Sequence, residues 1–190
     1  MKKLLVASAA ALLLGTFAAN ADTYVSILGG PTFAPGLNVG GTKNAMDTGF
    51  NVGARAGTTL ERWNLPDFSV EADGLFGQST YKGTSNARLQ TSSYMGNLIY
   101  HLPMFNDTPF GVYGGAGLGA VNTNVDNGVG NHGGSTVLGW QALGGVEYRA
   151  SEDASLFAEY RYQNAHNVNV GLTSVGDTSN NLSFGVKWHL

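Results

Sequence analysis

From about residue 23 onward, apolar and polar side chains alternate with a period of two, the period of a strand whose successive side chains point to opposite faces. The alternation is sharpest at the C-terminal end, where Leu182, Phe184, Val186, Trp188 and Leu190 share one face and Ser183, Gly185, Lys187 and His189 the other. Leu156, Ala158, Tyr160 and Tyr162 likewise oppose Ser155, Phe157, Glu159, Arg161 and Gln163, and Phe68, Val70 and Ala72 oppose Ser69, Glu71 and Asp73. Eight such stretches fall at about 23–30, 47–59, 66–77, 91–102, 109–121, 135–149, 154–164 and 181–190. The pattern predicts eight strands and no substantial amphipathic helix.

The connections alternate between long and short. The long ones, at about 31–46, 78–90, 122–134 and 165–180, are rich in Gly, Asn, Thr and Ser. The short ones lie near Leu60–Leu65, Pro103–Thr108 and Ala150–Asp153. A soluble sandwich also alternates, but long loops at one end and short turns at the other are the habit of outer-membrane barrels. Aromatic and charged residues point the same way. Tyr100, Tyr148, Trp188 and, at the other end, Tyr162 sit on the apolar face, where an interfacial girdle belongs. Arg55, Glu71, Asp73, Glu147, Arg149, Glu159, Arg161 and Lys187 sit on the opposite face. Arg or Lys against lipid at mid-bilayer costs about 2–4 kcal/mol, so a membrane barrel must turn its charges inward. The expectation is an all-β fold: an eight-stranded antiparallel up-and-down transmembrane β-barrel with short periplasmic turns and four longer external loops. The eight charged residues would form a polar network in its lumen.

Composition agrees with this picture. Charged residues make up 12% of the chain, about half the usual quarter, while 43% of residues are apolar. That balance disfavours disorder. After residue 21 no apolar run approaches the ~20 residues that a membrane helix needs. At the N-terminus, Lys2 and Lys3 precede an apolar run from Leu4 to Phe17 and then Ala19-Asn20-Ala21, the small-x-small pattern of a signal-peptidase site. Residues 1–21 are therefore expected to be a cleaved signal peptide, and residues 22–190 a single barrel domain. With Lys2 and Lys3 removed, eight basic residues face thirteen acidic ones, which offers no footprint for nucleic acid. Cysteine is absent, so disulfides are too.

Candidate chemistry is sparse. The histidines are His101, His132, His166 and His189. No His-x-x-x-His pair or calcium loop is present, and no cofactor is expected. Gly114-Gly115-Ala116-Gly117 has neither a following helix nor an adjacent Lys, so it reads as small residues in a tight strand rather than a phosphate loop.

Four segments carry a likeness to a known family: Tyr24-Val25-Ser26-Ile27-Leu28-Gly29-Gly30, Thr108 through Gly119, Leu156 through Tyr162, and Leu182 through Trp188. In this order the chain resembles the small outer-membrane β-barrel family that includes OmpX-type proteins and the surface antigens of alphaproteobacteria. The resemblance implies residence in the cell outer membrane, contact with its lipid, and a C-terminal strand read by the barrel-assembly machinery. The family usually ends on an aromatic residue; here Leu190 stands in that place, with Trp188 two residues before it.

The expected function is that of a non-enzymatic surface barrel with a side-chain-filled lumen. Its external loops, with Tyr81, Lys82 and Arg88 as the strong anchors of the second, would meet an extracellular partner or serve envelope integrity. One alternative is a barrel that binds or transports a small hydrophobic ligand or haem, with His132 or His166 as ligand. Another is a lipid A-modifying enzyme. A deacylase of this architecture is expected to place Ser two residues after a strand His, and Val168 occupies that position after His166.

Overall fold

The computed structural model describes residues 23–33, 37–39, 42–44, 47–80, 88–103, 108–126, 132–170 and 173–190. Eight long strands form the barrel: β1 (Thr23–Phe33), β4 (Gly49–Leu60), β5 (Leu65–Thr80), β6 (Arg88–His101), β7 (Phe110–Asp126), β8 (His132–Arg149), β9 (Ala154–Val170) and β10 (Thr173–His189). The short strands β2 (Leu37–Val39) and β3 (Thr42–Asn44) pair with each other between β1 and β4. Each barrel strand pairs antiparallel with its neighbours in sequence, and β1 pairs with β10 to close the sheet. Closure pairs every strand from the short turns up to Phe33↔Asn180 and Gly139↔Ala165, which is what allows a sheet to sit in lipid without exposing unpaired backbone groups.

The period of two is visible in exposure. On the outer face Ile27, Val52, Leu98, Leu118, Leu138, Val146, Leu156 and Phe184 are exposed, an apolar belt around the sheet. Tyr100, Phe110, Tyr148 and Trp188 flank it at one end, with tilted ring pairs Phe68–Tyr100 and Phe110–Tyr148 across neighbouring strands. The inner face holds the buried polar and charged residues together with three small apolar clusters: Leu28/Leu75/Phe157, Met95/Val121/Ala165 and Ile99/Tyr113/Leu143.

The β1–β10 seam begins near the tight turns. Tyr24 pairs with His189, and the Leu190 N–H donates to Thr23 O at 2.9 Å. The turn between β4 and β5 is a 3-10 turn, Glu61–Trp63, closed by Asn64 at φ 61°, a left-handed conformation that Asn tolerates better than most side chains. Between β8 and β9 the Ala150 and Ser151 N–H groups both donate to Ala154 O.

At the opposite end the strands run further than the sequence pattern predicts. The ladder continues to Thr80↔Arg88, Asp126↔His132 and Thr173↔Val170, through segments read from sequence as loops. Strands β7 to β10 have 17 or 18 residues each, against the roughly 9–11 that cross a bilayer. Above the apolar belt the outer face carries polar side chains, so the apolar–polar alternation fades while the backbone ladder persists and the inner face stays buried, as at Ser79, Leu89 and Thr123. Uncharged side chains bridge strands there: Asn122 donates to Thr136, Asn164 to Thr178 and Gln90 to Gln78.

Candidate functional site in the barrel lumen

Every barrel strand sends at least one polar side chain into the lumen, because the inner face of a closed sheet collects alternate residues from all of them. At mid-height Arg55 on β4 reaches across the bore. Its Nη2 lies 2.7 Å from Glu159 Oε1 and its Nη1 3.4 Å from Glu71 Oε2. Arg161, two residues along β9 from Glu159, donates to the same Oε1 at 2.9 Å and pairs with Asp73 Oδ2 at 3.1 Å. Glu159 thus sits between two guanidiniums, and the Tyr113 hydroxyl donates to its other oxygen at 3.0 Å.

Three carboxylates share this level with two guanidiniums, and neutral donors supply further contacts, while Asp73 Oδ1 and the Nε of both arginines have no hydrogen-bond partner among the described residues. Asn97 donates to Asp73 Oδ2 at 2.9 Å, Gln141 donates to the same oxygen at 3.2 Å, and the Tyr24 hydroxyl donates to Glu71 at 2.8 Å. All are buried. A charge in such surroundings must be paired, since an uncompensated one costs several kcal/mol.

Toward the short-turn end Lys187 pairs with Glu147 and lies over the rings of Tyr24, at 4.8 Å, and Tyr113, at 5.6 Å. The rings fit because each stands on a glycine of the adjacent strand. Tyr24 pairs with Gly57, Tyr113 with Gly145 and, higher up, Phe157 with Gly185. A Cβ at Gly57 or Gly145 would come within 2.7 Å of a tyrosine ring carbon or hydroxyl.

Seven of the eight predicted lumen residues are brought together in this way. Arg149 departs. It ends β8 at the rim, where its side chain is exposed and its backbone N–H donates to Pro109 O. Alternation assigns it to the inner face, but the barrel has no enclosed interior at that height. The sequence reading missed the neutral members Tyr24, Asn97 and Tyr113. Tyr113 lies on a strand whose inner face is otherwise mostly glycine (Gly111, Gly115, Gly117, Gly119), so no apolar or charged pattern marks it.

Two Ser–His contacts occur, Ser69–His101 at 3.1 Å and Ser155–His189 at 3.3 Å. Neither is arranged as a nucleophile and base. Both serines are fully buried (0% exposed). Glu147 approaches the same His189 nitrogen that faces Ser155, at 3.9 Å, rather than the opposite one that an orienting carboxylate would hold. The side chains of His132 and His166, and residues Tyr81 and Lys82, lie outside the described residues. Among the described residues no cluster of His, Asp and Glu suits a metal.

The profile of the outer membrane protein beta-barrel domain matches residues 4–189. A comparison with curated proteins finds no match. Among solved structures the chain is similar to Neisserial surface protein A, at 24% identity and TM-score 0.69 over 88% of this chain and 97% of that one. It is also similar to OprG of Pseudomonas aeruginosa, at 17% identity and TM-score 0.54 over 90% and 97%. A major outer membrane protein of Thermus thermophilus matches at 13% identity and TM-score 0.54 over 88% and 99%. At these identities the likeness is one of fold. With the profile spanning nearly the whole chain and the closed lipid-facing barrel in place, the chain belongs to the outer membrane protein beta-barrel family and is a protein of the cell outer membrane.

Proposed function

We propose that this protein is a non-enzymatic surface barrel whose lumen is closed and whose function lies in the outer ends of its strands and the connections between them. The observation that carries the reading is the bridge across the bore: Arg55, Glu71, Asp73, Glu159 and Arg161, with Asn97, Tyr113 and Gln141, tie β4, β5, β6, β7, β8 and β9 together at one level. An eight-stranded barrel is only wide enough for side chains to fill. Outer-membrane barrels keep short turns on the periplasmic side, so the overhanging ends of β7 to β10 point outward. There, uncharged amides and hydroxyls favour hydrogen-bonded contact with an extracellular partner or with neighbouring envelope components.

Both Ser–His contacts lie at the short-turn end, away from the outer leaflet on which a lipid A-modifying enzyme works. Residues 1–21 act as a leader removed on export, so that the secreted chain begins at Asp22. The final strand, ending in Trp188-His189-Leu190, is the segment offered to the assembly machinery.

The test is planar-bilayer recording of the purified monomer. A closed lumen gives at most rare, small openings. A steady, large conductance from the same preparation overturns the reading. Intact-mass measurement of the mature protein checks the leader, with a mass starting elsewhere than Asp22 rejecting that cleavage site.

A further inference from the structure

Above the ionic bridge the lumen changes character. A recess of about 20 Å3 opens there, with Thr32, Leu75, Ser79, Leu89, Gln163 and Asn181 in its wall. It faces the outward end, since Ser79 and Leu89 lie near the strand ends remote from the short turns. None of its lining residues is charged. Two of them already satisfy each other, Thr32 Oγ1 donating to Asn181 at 2.6 Å. Gln163 differs: it is only 3% exposed, and its Nε2 has no hydrogen-bond partner among the described residues. A buried amide donor left unpaired costs about 1–3 kcal/mol, a cost removed when an acceptor enters.

We infer that this recess is a ligand subsite that takes one hydroxyl-bearing end of an uncharged polyhydroxylated molecule, a saccharide, with Gln163 donating to it. An ionic ligand is excluded by the absence of a counter-charge in the wall, because desolvating an unpaired charge costs far more than desolvating a hydroxyl. Ser79, Thr91 and Ser93 add hydroxyl-bearing side chains to the wall that receives the ligand's hydroxyl. The volume at the floor suits a single small polar group, so the body of the ligand stays in the mouth. The subsite lies above the ionic bridge and does not depend on whether the bore conducts.

The experiment is a titration of the 15N-labelled full-length mature barrel, in lipid nanodiscs free of glycoside detergents, followed by NMR. N-acetylglucosamine and glucose are the neutral probes, and glucuronate and glucosamine the charged ones. The Gln163 side-chain amide resonances, assigned by their loss in Gln163→Leu, are expected to shift saturably with a neutral probe and not with the charged ones. Gly77→Ala narrows the recess without a clash, since a Cβ there meets only Phe50 O at 3.7 Å and Thr32 Oγ1 at 3.9 Å. It is expected to weaken binding about tenfold while leaving the remaining spectrum intact. Equal shifts with all four sugars, or no saturable shift with either neutral probe, overturn the proposal, and a cross-peak between Gln163 and a long-lived water then identifies the recess as a water site only.

Discussion

Arg55 and Glu159 stand 104 residues apart along the chain and 2.7 Å apart inside the barrel. Their strands, β4 and β9, are not neighbours; β1 and β10 lie between them in the closed order. The ion pair therefore spans the bore and exists only when the sheet has closed. Glu159 also holds Arg161, so one carboxylate anchors two guanidiniums.

Removing that carboxylate is expected to weaken the bridge without leaving a bare charge. Glu159→Gln leaves Arg55 with Glu71 and Arg161 with Asp73, so the loss is that of the charge-assisted hydrogen bonds to Glu159, about 1.5–3 kcal/mol. Urea titration in liposomes, read by the mobility difference between folded and unfolded barrel on an unheated gel, measures it. A loss below about 1 kcal/mol would mean the bridge fills space without holding the fold.

The glycines beneath the tyrosines make a second prediction. Gly145→Val sets a branched side chain against the Tyr113 ring and Ala158 O, at a cost of about 1–3 kcal/mol for overpacking. Adding Tyr113→Ala to it is expected to recover part of that loss. A double-mutant cycle in the same urea assay reads the coupling, and strict additivity of the two changes would refute direct packing.

Lipid exposure is tested by depth. Leu98→Arg lies in the apolar belt on the outer face of β6, where a cation costs about 2–4 kcal/mol. Trp188→Arg, near the end of β10, is expected to lose about 0–1 kcal/mol through its charge, as at an interface. If both substitutions cost the same in liposomes, the apolar belt does not face the hydrocarbon core.

At the β4–β5 turn, Asn64→Gly is expected to be neutral or slightly stabilising, while Asn64→Val costs about 1–2 kcal/mol, because a β-branched side chain fits poorly at φ 61°. Denaturation midpoints of the two variants decide it.

The barrel strand count and the facing of β5, β8, β9 and β10 were readable because lipid and lumen impose opposite demands on alternate residues, as in Ser155 through Gln163. Where those demands cease, reading fails. Asn122 through Asp126 continues β7, but its Asn-Thr-Asn start resembles a polar connection, so nothing in its composition separates it from a loop. Arg149 failed for a related reason: parity fixes a direction, and only the barrel's height at that point decides whether an interior lies there. The charges of the lumen were legible because Arg55 or Glu71 on a strand demands a partner. The neutral contacts of Asn97 and Gln141 were not, since an amide side chain suits a solvated face as well as a buried one and so does not mark a partner across the bore.

The three aromatic–glycine pairs have a consequence for assembly. A ladder of backbone hydrogen bonds is the same at every step, so on its own it does not distinguish one alignment of two strands from another two residues away. Tyr24 on Gly57, Tyr113 on Gly145 and Phe157 on Gly185 break that degeneracy. Slide β9 by two residues along β10 and Phe157 faces Ser183 or Lys187, where no hollow receives it; slide it by one and the ring turns to lipid while its neighbours' charges follow. Each pair works as a key cut for one notch, and together the three key the β1–β4, β7–β8 and β9–β10 pairings independently. A chain assembled strand by strand thus carries its own check that these three hairpins have been set before the last seam shuts.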